Sequence, residues 1–130
     1  MNDKVKYWLD TAEYDIDTAR GMLKIGKYLY VGFMCHLTIE KALKGIIARD
    51  CVEGEIPPKI HNLLKLAEKA GLFGIMTEEQ KNVLRELNPL NIEARYPEYK
   101  AQIAALLSAD KCKDIIAETE VLLCWIKEQL

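Results

Sequence analysis

The sequence predicts an all-α protein, an up-and-down antiparallel bundle of four long helices plus one or two short ones. Three observations support this fold class. Apolar residues recur at steps of three and four over most of the chain, which is the spacing of one buried helix face. No stretch shows the apolar–polar alternation of a half-buried strand. The connections between the helical stretches are short, which favours antiparallel neighbours.

The first two predicted helices are the longest. Gly26 and Lys27 separate the first, of about twenty residues, from the second, which runs from Tyr28 to Asp50. The segment Tyr28–Ile39 is apolar nearly all round, and Gly32 within it would let another backbone approach closely. Because a small monomer does not easily bury so much apolar surface, we expect a homodimer with this segment as its interface. The buried face of the first helix would consist of Val5, Trp8, Leu9, Ala12, Ile16, Ala19 and Leu23.

Shorter elements are expected in the middle of the chain. A loop over Cys51–Pro58 ends in a pair of prolines, which cannot continue a helix. A third helix is predicted from about Lys59 to Ala70, with Gly71 as its C-terminal cap. Thr77 and Gln80 then form the capping-box pattern that starts a fourth helix.

The last third of the chain holds one loop and one more long helix. Pro89 is expected to end the fourth helix, and Asn91–Lys100 has the character of a loop. After a short apolar piece over Ile103–Leu107, Ser108 is placed to cap the last helix. Because linkers and internal repeats are absent, residues 1–130 are predicted to form a single domain. The buried face of the last helix would consist of Cys112, Ile115, Thr119, Leu122 and Ile126.

Composition narrows the range of functions. With a net charge of −2 the chain has no overall attraction for nucleic acid or anionic membranes, so an RNA contact would need a local patch. None of the four cysteines forms a C-x-x-C pair, and the sequence predicts neither a metal nor a cofactor. The longest apolar run, Tyr28–Leu37, is too short to span a bilayer, and no signal peptide opens the chain. We expect a cytoplasmic protein without membrane contact.

Motifs for phosphate loops, nucleophile elbows and zinc proteases are absent. For both histidines a structural role is a simpler interpretation than a catalytic or ligand-binding role. His36 lies in the apolar part of the second helix, where a core or interface imidazole is expected. His61 follows Pro57 and Pro58, and helix packing is its expected role, although a helix N-terminus favours the neutral form of an imidazole.

The most informative loop places Arg95 beside Tyr96 and close to Tyr99. An arginine offers a charged fork, and tyrosines offer stacking faces, which suit a phosphate and a base respectively. In the alternative interpretation, Arg95 pairs with a carboxylate such as Glu40 or Glu93. It would then fix the loop on the bundle while the tyrosines close its end.

Short motifs follow one another in a defined order along essentially the whole chain. They are Trp8, Ala12, Asp15 and Ala19; G-K-Y at Gly26–Tyr28; F-M-C-H-L-T-I-E-K-A-L-K at Phe33–Lys44; Pro57 and Pro58 with H-N-L-L-K-L at His61–Leu66; R-Y-P at Arg95–Pro97; and W-I-K at Trp125–Lys127. In this order and spacing they resemble the HEPN domain of prokaryotes.

The resemblance implies a bundle of four long helices plus a short one, usually dimeric. It also implies a frequent pairing with a small nucleotidyltransferase, as a toxin with its antitoxin. Many HEPN domains are metal-independent RNases with an Arg and, after about four to six residues, a His that acts as general acid/base while the Arg holds the phosphate. Here that spacing from Arg95 leads to Lys100, Ala101 and Gln102, and no other Arg precedes a His in this way.

We therefore expect a HEPN-like protein that binds a nucleotide or RNA without catalysis and is the partner of a nucleotidyltransferase in a toxin–antitoxin-type pair. A first alternative is a metal-independent RNase toxin with a non-standard acid/base, for which His36 and His61 are candidates. A second is a purely structural interaction module with Arg95 in an internal salt bridge. The expected ligand-binding residues around a dimer groove are Arg95, Tyr96, Tyr99, Glu40, Lys41 and Lys44.

Overall fold

The computed structural model describes residues 2–93 and 96–130, and all regular structure in these stretches is helical. Three α-helices have 20 to 23 residues and three have 7 to 10, which confirms the predicted all-α class. Two short 3₁₀ helices, Phe73–Ile75 and Asn88–Leu90, lie on either side of the fourth helix. The α-helices are α1 (Asp3–Lys24), α2 (Tyr28–Asp50), α3 (Leu63–Lys69), α4 (Glu78–Leu87), α5 (Pro97–Leu106) and α6 (Ala109–Glu128).

Helices α1 and α2 form a tightly connected hairpin. The end of α1 is closed by hydrogen bonds from the Gly26 amide to the Leu23 carbonyl at 3.2 Å and from the Lys27 amide to the Met22 carbonyl at 2.8 Å. This hydrogen-bond pattern needs a residue in the left-handed backbone conformation, and Gly26 adopts it with φ of +75°. The turn is short, so α2 begins at Tyr28 as predicted and returns alongside α1.

Helix α2 is the central element, because it packs against α1, α3, α5, α6 and the end of α4. Within Tyr28–Ile39 only Tyr30 is exposed. The Cδ1 atoms of Leu90 and Leu107 lie 3.2 Å from the position that a Cβ atom at Gly32 would take. Side chains of the same chain, rather than another backbone, therefore cover this segment. The expectation that this apolar segment can be buried only in a dimer interface is therefore wrong. The homodimer itself stays a prediction.

The third helix is shorter than expected. It begins at Leu63 rather than at about residue 59, because the Asn62 side chain caps it by accepting hydrogen bonds from the amides of Leu64 and Lys65 at 3.1 and 3.2 Å. Its C-terminal end has the predicted glycine cap, since Gly71 has φ of +75°. The segment around His61 is therefore irregular, and it is held in place by contacts other than helix packing.

Residues 97–100 are helical, so the expected loop over Asn91–Lys100 is wrong for its last four residues. Proline is well suited to the first turn of a helix, because its ring presets φ and its missing amide hydrogen has no partner there anyway. Pro97 therefore starts α5, which also contains most of the apolar piece Ile103–Leu107. The caps predicted for α4 and α6 are confirmed: Thr77 and Gln80 form a capping box, and Ser108 accepts from the Lys111 amide at 3.1 Å.

The core lies between α2 and the helices around it. The predicted buried face of α6 is confirmed, since all five of its residues are buried. Across the two described stretches, none of the helices combines the length and the apolar character needed to cross a membrane.

Candidate functional site

A buried carboxylate on α2, that of Glu40, gathers three basic side chains. Its Oε1 atom lies 3.2 Å from His36 Nε2 and 2.9 Å from His61 Nδ1. Its Oε2 atom accepts a hydrogen bond from Lys44 Nζ at 3.1 Å. The Glu40 side chain is 3% exposed and that of His36 is fully buried. We call these four residues the Glu40 cluster.

Local structure explains how the cluster forms. His36, Glu40 and Lys44 are spaced by four residues, so they lie along one face of α2. His61 comes from the irregular segment between the Pro57–Pro58 pair and the Asn62 cap of α3. Because the prolines and the cap keep this segment out of the helix, its imidazole can approach α2 from the side.

The electrostatics of the cluster favour an ionised carboxylate. Burial on its own would raise the pKa of Glu40. The hydrogen bonds from His36, His61 and Lys44, together with the charge of Lys44, outweigh burial and lower this pKa to about 2. Glu40 therefore carries a full negative charge over the neutral pH range.

A second ion pair extends the polar region onto α1. Lys41 Nζ donates to Asp15 Oδ2 at 3.3 Å, and burial raises the pKa of Asp15 while Lys41 partly offsets that effect. Lys41 is therefore paired with Asp15, just as Lys44 is paired with Glu40. Lys44 Nζ also lies 5.8 Å from the centre of the Trp8 ring. Trp8 and Asp15, singled out as motif residues of the first helix, lie next to the E-K-A-L-K motif on α2.

His61 is the part of the cluster that faces solvent, with a side chain that is 62% exposed. An ionised carboxylate can only accept hydrogen bonds, so His61 must donate through Nδ1 to Glu40. Its other ring nitrogen, Nε2, has no hydrogen-bond partner among residues 2–93 and 96–130. A histidine held in this way presents Nε2 to a ligand, where the atom can accept or donate a proton.

Of the loop residues predicted to bind a ligand, Arg95 lies outside the described residues. The Tyr96 side chain is 81% exposed. Tyr99 is partly buried at the start of α5, where its hydroxyl donates to the Pro89 carbonyl at 3.3 Å. Tyr96 therefore offers an exposed aromatic face, whereas Tyr99 fastens α5 to the 3₁₀ helix that follows α4.

One short turn at residues 87–89 connects the Glu40 cluster with this loop. It begins at the last residue of α4 and continues into the 3₁₀ helix that starts at Asn88, and hydrogen bonds join it to the segments that contain His36, His61 and Tyr99. Each of its three residues accepts one hydrogen bond. The Leu87 carbonyl accepts from His36 Nδ1 at 3.1 Å, and the Asn88 side chain accepts from the Leu63 amide at 2.9 Å. The Pro89 carbonyl accepts from the Tyr99 hydroxyl at 3.3 Å.

Part of this arrangement is predictable from the sequence. The spacing predicts the Glu40–Lys44 ion pair, and the apolar neighbours predict a buried His36; both are confirmed. The contact between His61 and Glu40 is not predictable in this way. Its two residues are 21 positions apart and lie in different kinds of structure, so no periodic pattern connects them.

A separate groove of about 630 Å³ lies between α4 and α6 and shares no residue with the Glu40 cluster. Its walls include Glu86 and Glu118, and Lys111 pairs with Glu86 at 2.8 Å. Burial raises the pKa of Glu118, and the neighbouring Glu86 carboxyl raises it further. The Glu86 carboxyl group thus disfavours the ionisation of Glu118.

The variant Glu118→Gln is expected to be slightly more stable than the wild type at neutral pH, by about 0.5 kcal/mol, since Glu118 is only half-buried and solvent screens its charge. A raised pKa in the folded state means that the acid stabilises the fold at low pH and loses this contribution as pH rises through that pKa. The gain should therefore appear in urea unfolding at about pH 7.5 and vanish near pH 4. The exposed loop variant Glu53→Gln is the control; an equal gain there would contradict the explanation.

Known structures share this fold over nearly the whole chain. TT1696 from Thermus thermophilus matches with a TM-score of 0.81 and 21% identity, covering 99% of this chain and 100% of that chain. ST0689, an archaeal HEPN homologue, matches with a TM-score of 0.68 and 19% identity, covering 98% of each chain. No curated protein matches the sequence significantly. The sequence model of the HEPN domain matches residues 5–129, and this chain therefore belongs to the HEPN domain family.

Proposed function

We propose that this HEPN protein binds RNA or a nucleotide, without cleaving it, at a site that includes His61 and Tyr96. One observation carries the proposal: an imidazole that is 62% exposed is held at 2.9 Å by a carboxylate that is 3% exposed. A buried charge is costly to maintain, and a side chain that it holds at the surface is a candidate for ligand contact.

Each candidate residue has a role in this proposal. His61, in its doubly protonated form, donates through Nε2 to a phosphate oxygen, and the exposed Tyr96 provides a face on which a base can stack. Arg95, placed in the sequence beside Tyr96, supplies a bidentate charged contact to phosphate. Glu40 orients His61. Lys41 and Lys44 are engaged in ion pairs, so they support the surface from behind rather than contact the ligand directly, and Tyr99 fixes the start of α5.

The proposal also includes two protein partners, a second copy of the chain and a nucleotidyltransferase. Membership of the HEPN family supports both, through the resemblance described above. Sedimentation at micromolar concentration tests the first, and a monomer would remove the dimer groove from the proposal. Co-purification with a nucleotidyltransferase encoded in the adjacent reading frame tests the second.

Replacing His61 with alanine is expected to weaken the binding of a short single-stranded RNA by about 10-fold, as for the loss of one charge-assisted hydrogen bond. Fluorescence anisotropy in EDTA measures the affinity. Arg95→Ala is expected to lose about 1–3 kcal/mol in the same titration, and in one with ATP. Lys59→Ala removes an exposed charge two residues from His61 and is the control, with at most a small loss. Equal affinity of His61→Ala and wild type would contradict the proposal.

A second function, metal-independent RNA cleavage, is favoured by the same geometry. A carboxylate on Nδ1 and a free Nε2 is the arrangement of a histidine that acts as general acid/base. Gel analysis of the anisotropy samples distinguishes the two functions. Intact RNA supports binding alone, whereas cleavage in EDTA that disappears in both His61→Ala and Arg95→Ala would establish the RNase and overturn the non-catalytic proposal.

A further inference from the structure

The buried imidazole of His36 lies between two acceptors. Its Nδ1 atom is 3.1 Å from the Leu87 carbonyl oxygen at the end of α4, and its Nε2 atom is 3.2 Å from Glu40 Oε1. The side chain has no exposure to solvent, so water does not supply an alternative partner to either nitrogen. Both contacts must therefore be explained by hydrogens on the ring or on the Glu40 carboxyl group.

Counting protons limits the charge states. A carbonyl oxygen only accepts, so Nδ1 carries a hydrogen. One further hydrogen must lie between Nε2 and Oε1, either on the ring or on the carboxyl group. The Lys44 ammonium on Oε2 and the His61 imidazole on Oε1 both stabilise the carboxylate anion, which leaves this hydrogen on the ring.

The charged groups around His36 do not neutralise the positive charge that this proton adds. The other ion pair nearby, Asp15 on α1 with Lys41 on α2, is neutral as a whole. Glu40 then faces two cations, His36 and Lys44, while α4 contributes only the Leu87 carbonyl. Counted over residues 2–93 and 96–130, the buried part of the site carries one more positive charge than negative charge.

We infer that His36 is a charged imidazolium in the folded protein at neutral pH, that it leaves the Glu40 cluster with a net positive charge, and that this charge draws the phosphate group of a ligand to the exposed edge of His61. The inference rests on the proposed function, since it specifies what attracts the ligand to that surface. His36 does not touch the ligand in this account; it acts as a positioning residue through Glu40 and through its charge.

The charge of His36 can be measured on the free protein. In a long-range ¹H–¹⁵N correlation spectrum of the full chain, the His61→Gln variant leaves a single histidine ring, that of His36. We expect both nitrogens of this ring to give the nearly equal shifts of an imidazolium at neutral pH. A neutral pattern, with one protonated and one bare nitrogen, would overturn the inference.

The attraction for phosphate is tested with inorganic phosphate, with sodium chloride at matched ionic strength as the control. Phosphate is expected to shift the His61 ring signals of the wild type, and His36→Gln is expected to weaken this binding by about fivefold, the effect of one charge near a surface. Lys44→Gln removes the other cation and should weaken it similarly, which keeps the test valid if one variant does not fold. Equal phosphate affinity in the wild type and a folded variant would overturn the inference.

The same two variants separate this inference from the proposed function. If RNA binds to the wild type and to both variants with equal affinity, the proposed function stands and the inference fails. If RNA and phosphate do not bind to the wild type, the proposed function fails and the phosphate part of the inference fails with it. The ring spectrum decides the charge of His36 in either case.

Discussion

Glu40→Gln is expected to lower the free energy of unfolding by about 3 kcal/mol at neutral pH. Glutamine has nearly the same shape as glutamate but lacks the charge that His36 and Lys44 face in a buried position. Removing one partner of a buried ion pair is costly because the remaining charges stay desolvated. Urea unfolding followed by circular dichroism measures the loss.

The same carboxylate should produce a characteristic acid dependence. The pKa of Glu40 is lowered to about 2 in the folded state, from an ordinary value of 4.5. A depressed pKa stabilises the fold above the unfolded-state value, and the contribution is lost as pH falls through the folded-state value. The wild type should therefore lose this stability between about pH 4.5 and pH 2, and Glu40→Gln should lack that part of the transition.

Glu120→Gln provides the matched control for this experiment. Glu120 pairs with Arg20 at 3.0 Å, but both side chains are 44% exposed, so the loss should stay within about 1 kcal/mol. Losses of similar size in Glu40→Gln and Glu120→Gln would show that the Glu40 cluster does not stabilise the fold as described.

The second large effect is expected for Leu107→Ala, which should destabilise the protein by about 2–5 kcal/mol. Leu107 is 5% exposed, and its side chain packs over Gly32 of α2. Truncating it would leave a cavity between Leu107 and the apolar first half of α2. The adjacent Leu106 is 70% exposed, and Leu106→Ala should change stability by no more than about 0.5 kcal/mol.

Thermal and urea unfolding of both variants check this prediction. Equal destabilisation by Leu107→Ala and Leu106→Ala would mean that the end of α5 and Leu107 do not pack as described. If Leu106→Ala shifted the monomer–dimer equilibrium without affecting the stability of the monomer, Leu106 would instead belong to an interface between two copies.

The parts of the fold that sequence predicted well are those governed by local rules. The start of α2 at Tyr28 follows from the Gly26 turn, and the start of α4 follows from the capping box of Thr77 and Gln80. The amphipathic pattern extends before Asn62 and so predicts too early a start for α3, since the capping bonds of Asn62 define the boundary. The loop character of residues 91–100 does not reveal that Pro97 occupies the first turn of a helix, a position that also suits proline.

The site was predictable to the extent that it lies on a single helix. The spacing of Glu40 and Lys44 on α2 gave the ion pair in advance. The contributions of His61 and of the Leu87 carbonyl depend on how α3 and α4 pack against α2. Contacts between residues so far apart in sequence leave no periodic signal, and a backbone carbonyl leaves no signal in sequence at all.

The turn at residues 87–89 has a consequence for which substitutions relatives of this protein can accept. Two of its three acceptors, at Leu87 and Pro89, are backbone carbonyls, which every amino acid provides. The third is the amide side chain of Asn88, which few residue types can replace. We therefore expect positions 87 and 89 to vary among functional homologues according to packing alone, whereas position 88 should be restricted to short side chains with an oxygen acceptor.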